Sequence, residues 1–330
     1  MVKQSKKLLV QSAKILFSAG IIYWLIQSGK LNFAALKNLL TPGAAALALF
    51  LVLLNLFFAS ERWRILIRSQ GMGAGPWSVF KLSLIGTFFN FAMPGGVGGD
   101  VIKAYYFTRE HPGSKVVAVT SVLMDRVLGM FAMVLLALVV MVYDINHIMK
   151  TPALLTLLWF IGGLFVAFVI ALSLIFSQKI YANGGLKRVI HKLPLSEKFM
   201  KLYESMHLYG KDGKRFLLVI FLSLVSQACA ITFLYLAGSM AGFDVPAKTY
   251  FLVAPLGFMA TAIPISPAGV GVGQAAFYFL FNLYTGQPSE IGPTSITAFQ
   301  VGTFVMSLFG AFFYLRRKDR VEATKIEEVG

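Results

Sequence analysis

The residues best suited to chemistry lie in two glycine- and proline-rich stretches embedded in apolar sequence. The first, NFAMPGGVGGDVIKAYY (Asn90 to Tyr106), interrupts an apolar run with Pro94 and glycines 95, 96, 98 and 99, then supplies Asp100 and Lys103. A chain that turns on glycine exposes backbone amides. A helix resuming near Asp100 would present its first N–H groups, and the positive end of its dipole, to an anion such as phosphate. Lys103, one turn on, can contact that anion directly or snorkel to the interface. Asp100 can serve the site or simply cap the helix. Asn90 can satisfy freed backbone groups or hydrogen-bond a polar head group. The second stretch, ATAIPISPAGVGVGQAAFYF (Ala260 to Phe279), carries Ser266, Pro267, Gly269, Gly271 and Gln274 and no charge. It offers dipoles and one side-chain amide, or a tight corner for close helix packing.

A third constellation is Asp125-Arg126, about ten residues into another apolar segment. Ionisable residues at such depth are costly and mark a pathway or a partner. Sequence neighbours point about 100° apart on a helix, so Arg126 is available to a head group, to Asp100 or to a structural interface. Glu61-Arg62-Trp63 closes a different apolar segment and reads as an interfacial anchor. The candidate substrate-binding set is therefore Asn90, Gly95, Gly96, Gly98, Gly99, Asp100, Lys103, Asp125, Arg126, Ser266, Pro267, Gly269, Gly271 and Gln274. No catalytic residue or cofactor is expected. There is no G-x-S-x-G, no Walker A loop, and His111, His147, His191 and His207 are scattered without metal-ligand spacing.

Elements able to position such residues must be membrane helices. Of the 330 residues 57% are hydrophobic and only 13% charged, against about 25% charged in soluble chains. The net charge of +16 does not point to nucleic acid, because the basic residues lie between apolar segments, where loops meet anionic lipid. Cys229 is the sole cysteine, so no intrachain disulfide can form. The basic start, MVKQSKKLLV, is read as leading into a retained first span rather than a cleaved signal.

Spans are predicted at 8–27, 43–60, 116–143, 152–176, 215–241 and 293–315. The broken stretches, 77–108 and 249–284, are too long for one crossing and short for two, so each is read as a re-entrant helical hairpin. That parity puts the nine Lys and Arg from Lys179 to Arg215 on the cytoplasmic side and leaves only Lys30, Lys37, Lys150 and Lys248 outside. Both termini are then cytoplasmic. Residues 1–150 and 151–330 each read span, span, hairpin, span, and three crossings per half make the second half inverted. The motif P-x-G-V-G recurs at Pro94 to Gly98 and Pro267 to Gly271. Between the halves, Leu195, Phe199, Leu202, Met206 and Tyr209 form one face of an amphipathic helix, begun by Ser196 and stopped at Gly210. It lies on the cytoplasmic leaflet or serves as a solvated linker.

These residues resemble the flippase-like transmembrane family. The resemblance rests on N-x-x-x-P-G-G-V-G-G-D-x-x-K (Asn90 to Lys103), Asp125-Arg126-x-x-Gly129 and S-P-A-G-V-G-V-G-Q (Ser266 to Gln274). The family includes the membrane region of bacterial lysylphosphatidylglycerol synthases and many free-standing proteins of this length. It implies a polytopic inner-membrane protein that moves a charged lipid between leaflets, with the glycine motifs and Arg126 around the head-group path. The soluble domain that attaches lysine in two-domain members has no counterpart here, so aminoacylation is not implied. Two departures matter. Lys103 stands where the pattern has Arg, losing bidentate phosphate geometry, and Gln274 stands where it has Glu, removing a counter-charge or proton carrier.

The expected fold is all-α and polytopic, with about six spans and two broken hairpins. The expected function is translocation of a phospholipid or polyprenyl-phosphate-linked lipid, facilitated or ion-coupled, since no ATP site is present. A small-solute or ion-coupled transporter on the same plan, a membrane lipid transferase, and an anchor for a lipid-modifying enzyme are the alternatives. Membrane lipids are the expected partners, a homo-oligomer or an associated lipid-modifying enzyme is compatible with the pattern, and nucleic acid is not.

Overall fold

Inside hydrocarbon a peptide group has no water to bond, so a spanning chain must satisfy its backbone internally. The computed structural model describes residues 20, 23, 27, 37, 40–93, 98–184, 196–263 and 265–327, and all regular structure among them is helical. In chain order the helices are α1 (Pro42–Ser69), α2 (Pro76–Ala92), α3 (Gly98–Glu110), α4 (Lys115–Tyr143), α5 (Ile145–Ile148) and α6 (Pro152–Phe176). They continue with α7 (Gln178–Asn183), α8 (Ser196–His207), α9 (Gly213–Met240), α10 (Ala247–Thr261), α11 (Val272–Thr285) and α12 (Ile291–Glu327). Short 3₁₀ turns follow α8 (Leu208–Lys211) and precede α11 (Pro267–Gly269). α1, α2 and α6 begin on proline, whose fixed φ suits a first turn and whose missing N–H costs nothing there. Gly286 closes α11 in the left-handed conformation, its N–H reaching the Asn282 carbonyl.

Among the described residues five helices are long and apolar enough to cross a bilayer: α1, α4, α6, α9 and Ile291–Arg316 of α12. They match five of the predicted spans, and the sixth, 8–27, lies almost wholly outside the described residues. The chain is an all-α polytopic membrane protein. α6 shows its solvent directly. Only 11% of its apolar window is buried, with Trp159, Phe160, Val166 and Ile170 facing outward. A helix so clad in exposed apolar bulk suits lipid and not water.

The two broken stretches form paired helices, α2 with α3 and α10 with α11. Their 17, 13, 15 and 14 residues give lengths of about 20–26 Å at helical rise. Each arm is thus shorter than the hydrocarbon thickness of about 30 Å.

The contacts divide into two compact units. One comprises Met1–Leu56, Phe80–Lys103 and Cys229–Gly330; the other comprises Phe57–Val79 and Ala104–Ala228. Each draws on both sequence halves. Compactness groups contacts, whereas a repeat is a matter of symmetry, so the two partitions need not coincide.

The first unit is built on Ala48, Val52, Phe233, Ala237 and Ala298, with α10 packed on α11 and α11 on α12. Small residues let its helices approach. A Cβ at Gly310 would fall on the Leu84 carbonyl, and one at Gly257 on the Phe277 ring. The second unit is built on Leu66, Met124, Leu128, Leu172, Tyr209, Val219 and Ile220. In it α4 packs on α6, and α8 on both.

The α8 segment keeps part of its predicted face, with Met206 and Tyr209 packed into the core of the second unit. Phe199 is 45% exposed, while Tyr203, Ser205, His207 and Tyr209 are buried. The helix docks on α4 and α6, and that contact buries Ser205 and His207 as well while leaving Phe199 outward. Gly210 does more than end the segment, since a Cβ there would lie 2.5 Å from Phe176 Cβ. Leu195 lies outside the described residues.

If close approach governs the first unit, Gly310→Ala should destabilise the protein by about 1–3 kcal/mol through overpacking, read as a lower melting temperature in detergent. Gly162→Ala, where a Cβ meets open space, should leave the melting temperature unchanged or slightly raised.

Candidate functional site

At the first break, Pro94, Gly95, Gly96 and Val97 lie outside the described residues; the flanks are well defined. Gly99 is buried against α2, where a Cβ would overlap the Gly86 carbonyl, and a Cβ at Gly98 would sit 2.6 Å from Met93 Cβ. α3 can therefore start against α2 only with glycine at both places. Asn90 closes the joint, its Oδ1 accepting the Gly99 N–H at 2.9 Å. Its carboxamide oxygen thus satisfies a freed amide. Asp100 sits in the first turn of α3, where its charge complements the helix dipole. Lys103 lays its stem across Gly86, with Cγ 2.9 Å and Cε 3.1 Å from where a Cβ would stand. Asp100 and Lys103 are both half-buried.

The second break is held by Gln274 together with two side chains the sequence reading did not select, Thr297 and Gln300. Gln274 is 1% exposed. Its Oε1 accepts the Gly271 N–H at 2.7 Å, and its Nε2 donates to Thr297 Oγ1 at 3.0 Å and to Gln300 Oε1 at 2.7 Å. Gln300 in turn donates to the Ala268 carbonyl at 3.3 Å. Ala268 (φ +48°), Gly269 (φ +71°) and Gly271 (φ +85°) take left-handed backbone, so the corner needs glycine where it strains most. Gly269 also packs against Thr261. Pro267 opens the 3₁₀ turn, and Ser266 beside it is buried with a hydroxyl that has no hydrogen-bond partner. Pro264 lies outside the described residues. Thr297 and Gln300, three residues apart on apolar α12, carried the signal that could have found them: two polar side chains on one face of a span.

Both breaks belong to the first unit, whereas Asp125 and Arg126 belong to the second. Asp125 is engaged by Arg62, whose Nε lies 2.7 Å from Oδ1, with both side chains about one-eighth exposed. Arg62 Nη1 also donates to Ser223 Oγ at 3.3 Å. Gly129 makes room for the guanidinium, as a Cβ there would lie 3.1 Å from Nη1. Arg126 is half-buried.

The interfacial-anchor reading of Glu61-Arg62-Trp63 is corrected. α1 runs on to Ser69 instead of ending at Ser60. Trp63 is fully buried and donates from Nε1 to Ser121 Oγ at 3.1 Å, and Glu61 pairs with Arg64 at 2.7 Å. Hydropathy ended the span where charges began; pairing lets the helix carry those charges further.

Removing one partner of such an ion pair leaves the other charge buried. Arg62→Ala or Asp125→Ala should each cost about 3–5 kcal/mol, while the double change to leucine should cost less than the sum of the single leucine changes. Thermal unfolding in detergent measures this cycle. Likewise Gln274→Leu, which orphans the Gly271 amide and Gln300, should cost about 1–3 kcal/mol in the same assay.

Comparison with known proteins follows this geometry. The family described as the lysylphosphatidylglycerol synthase TM region matches residues 11–310. A UPF0104 membrane protein of Methanocaldococcus jannaschii is 23% identical over 301 residues, covering 86% of this chain and 88% of the relative. Another, of Methanothermobacter thermautotrophicus, is 20% identical over 279 residues, covering 80% and 82%. No solved structure matches the chain.

Proposed function

The chain belongs to the family of the lysylphosphatidylglycerol synthase transmembrane region, and from that premise we propose that it moves a charged lipid between the leaflets of the cell (inner) membrane. The observation that carries this reading is that both glycine breaks fall within one compact unit. Each break is followed by a helix start, at Gly98 and at Val272. Paired interrupted helices are the elements from which membrane transport sites are built, because first-turn amides can meet a polar group at depth. Asp100 and Lys103 add charge at one break, and Gln274 with Gln300 adds a neutral polar wall at the other.

In this reading the halves 1–150 and 151–330 are inverted repeats. The breaks are re-entrant hairpins entering from opposite sides, and both termini face the cytoplasm. The cargo is a phospholipid or a polyprenyl-phosphate-linked lipid. The membrane lipids themselves are the partners, transport is facilitated or ion-coupled, and no group-transfer chemistry is assigned to the chain.

The test is movement of fluorescent head-group-labelled phospholipids in proteoliposomes, with wild type compared against Asp100→Asn and Arg126→Ala. Loss of one charge-assisted contact should slow transport about tenfold in variants whose melting temperature is preserved. Wild-type protein that moves no lipid under any imposed ion gradient would overturn the reading.

A further inference from the structure

A concave cavity of about 470 Å³ opens within the second unit, away from both glycine breaks in the chain and formed without them. It is bounded by the first turn of α4 at Val116 and Val117, by α8 and the 3₁₀ turn after it, and by the polypeptide following α6.

Three independent features give this cavity the character of an anion site. The first is the start of α4, a helix of 29 residues. Ser114 stands at its N-cap without making a cap bond, because its hydroxyl donates to the His111 carbonyl instead. The first bond into the helix is from Ala118 N–H to the Ser114 carbonyl at 2.8 Å. The amides of Val116 and Val117 therefore lack both an intrahelical partner and a capping side chain, at the positive end of a long dipole.

The second feature is His207. It is 2% exposed, stacked on Tyr181 with ring centroids 4.0 Å apart, and its Nδ1 lies 2.8 Å from the Ile175 carbonyl. That contact makes Nδ1 the protonated nitrogen. Nε2 is buried and has no hydrogen-bond partner. It is a ring nitrogen able to hydrogen-bond a phosphate oxygen. The third feature is charge. Lys201 and Lys211 line the rim with a single carboxylate, Glu204, between them in sequence.

The polar side chains of the floor are already hydrogen-bonded to one another. Gln70 donates from Nε2 to the Ser205 carbonyl, Ser205 Oγ donates to Gln70 Oε1 at 3.1 Å, and Thr120 Oγ1 meets Ser205 Oγ at 2.8 Å. A hydrogen-bonded floor beside uncapped amides and exposed lysines is an arrangement suited to holding a phosphate.

We propose that this cavity binds a phosphate group, carried either by a small phosphorylated solute or by an anionic phospholipid head group. The site is separate from the proposed lipid path, and binding is its only assigned activity.

The experiment measures binding to the purified full chain in detergent, with no transport readout. One arm uses radiolabelled inorganic phosphate in equilibrium dialysis. The other uses dihexanoyl phosphatidylglycerol, below its micelle concentration, in competition with that label and in a melting-temperature shift. Lys201→Gln with Lys211→Gln alters two exposed side chains. It should weaken binding about tenfold or more while the ligand-free melting temperature stays put. Glu204→Gln removes the one opposing charge and should tighten binding about two- to threefold, an effect a structural role for α8 does not produce. Saturable binding of both probes with this charge dependence supports a general phosphate site. Binding of the phospholipid alone with the same dependence supports a head-group site. Absence of saturable binding by either probe, or binding indifferent to all three substitutions, overturns the proposal and leaves the translocation reading untouched.

Discussion

A peptide group that loses its helical partner inside a bilayer has no water to replace it, and each such group costs several kcal/mol. This constraint organises the rest of the molecule. Where the chain breaks at Gly98 and again near Gly269, the freed groups are met by Asn90 on one side and by Gln274, Thr297 and Gln300 on the other. The glycines serve the same end. Gly99 lets α3 start against the Gly86 backbone, and Gly269 and Gly271 turn the second corner through left-handed conformations. The breaks are thus well-supported features, kept where protein surrounds them.

The same constraint applied to charge explains the second unit. Asp125 can sit deep in α4 because Arg62 comes to it from α1, with Ser223 holding the guanidinium and Gly129 leaving room for it. A lone carboxylate at that position would be neutralised or expelled. The pair lies where α1 continues past its apolar stretch, and on the same extension Trp63 is turned inward to Ser121 rather than outward to the interface. The ion pair and the buried Trp63 thus lie together on the extension of α1 beyond its apolar stretch.

Function of the kind proposed needs polar groups placed at the helix breaks. The division of labour between side chains is informative here. Asn90 and Gln274 are largely consumed by the backbone they stabilise. Asp100 and Lys103 are half-buried at a helix start. Gln274 supplies donors to Thr297 and Gln300 that a carboxylate at that position could not.

Much of this was legible in the sequence. Five spans, both breaks and the polar residues beside them follow from apolar run length and from the conformational demands of glycine and proline, which are local properties. The amphipathic period located α8 as well. Tertiary structure alone decided that Phe199 stays outward while Ser205 and His207 are buried, since that depends on the surfaces of α4 and α6. It alone showed that Arg62 belongs to Asp125, 63 residues away in the chain, and that Thr297 and Gln300 complete the second break. It also gathered two breaks from opposite sequence halves into one compact unit. Pairing between distant residues is a matter of geometry, and the period of a sequence carries the face of a helix but not the identity of the partner that meets it.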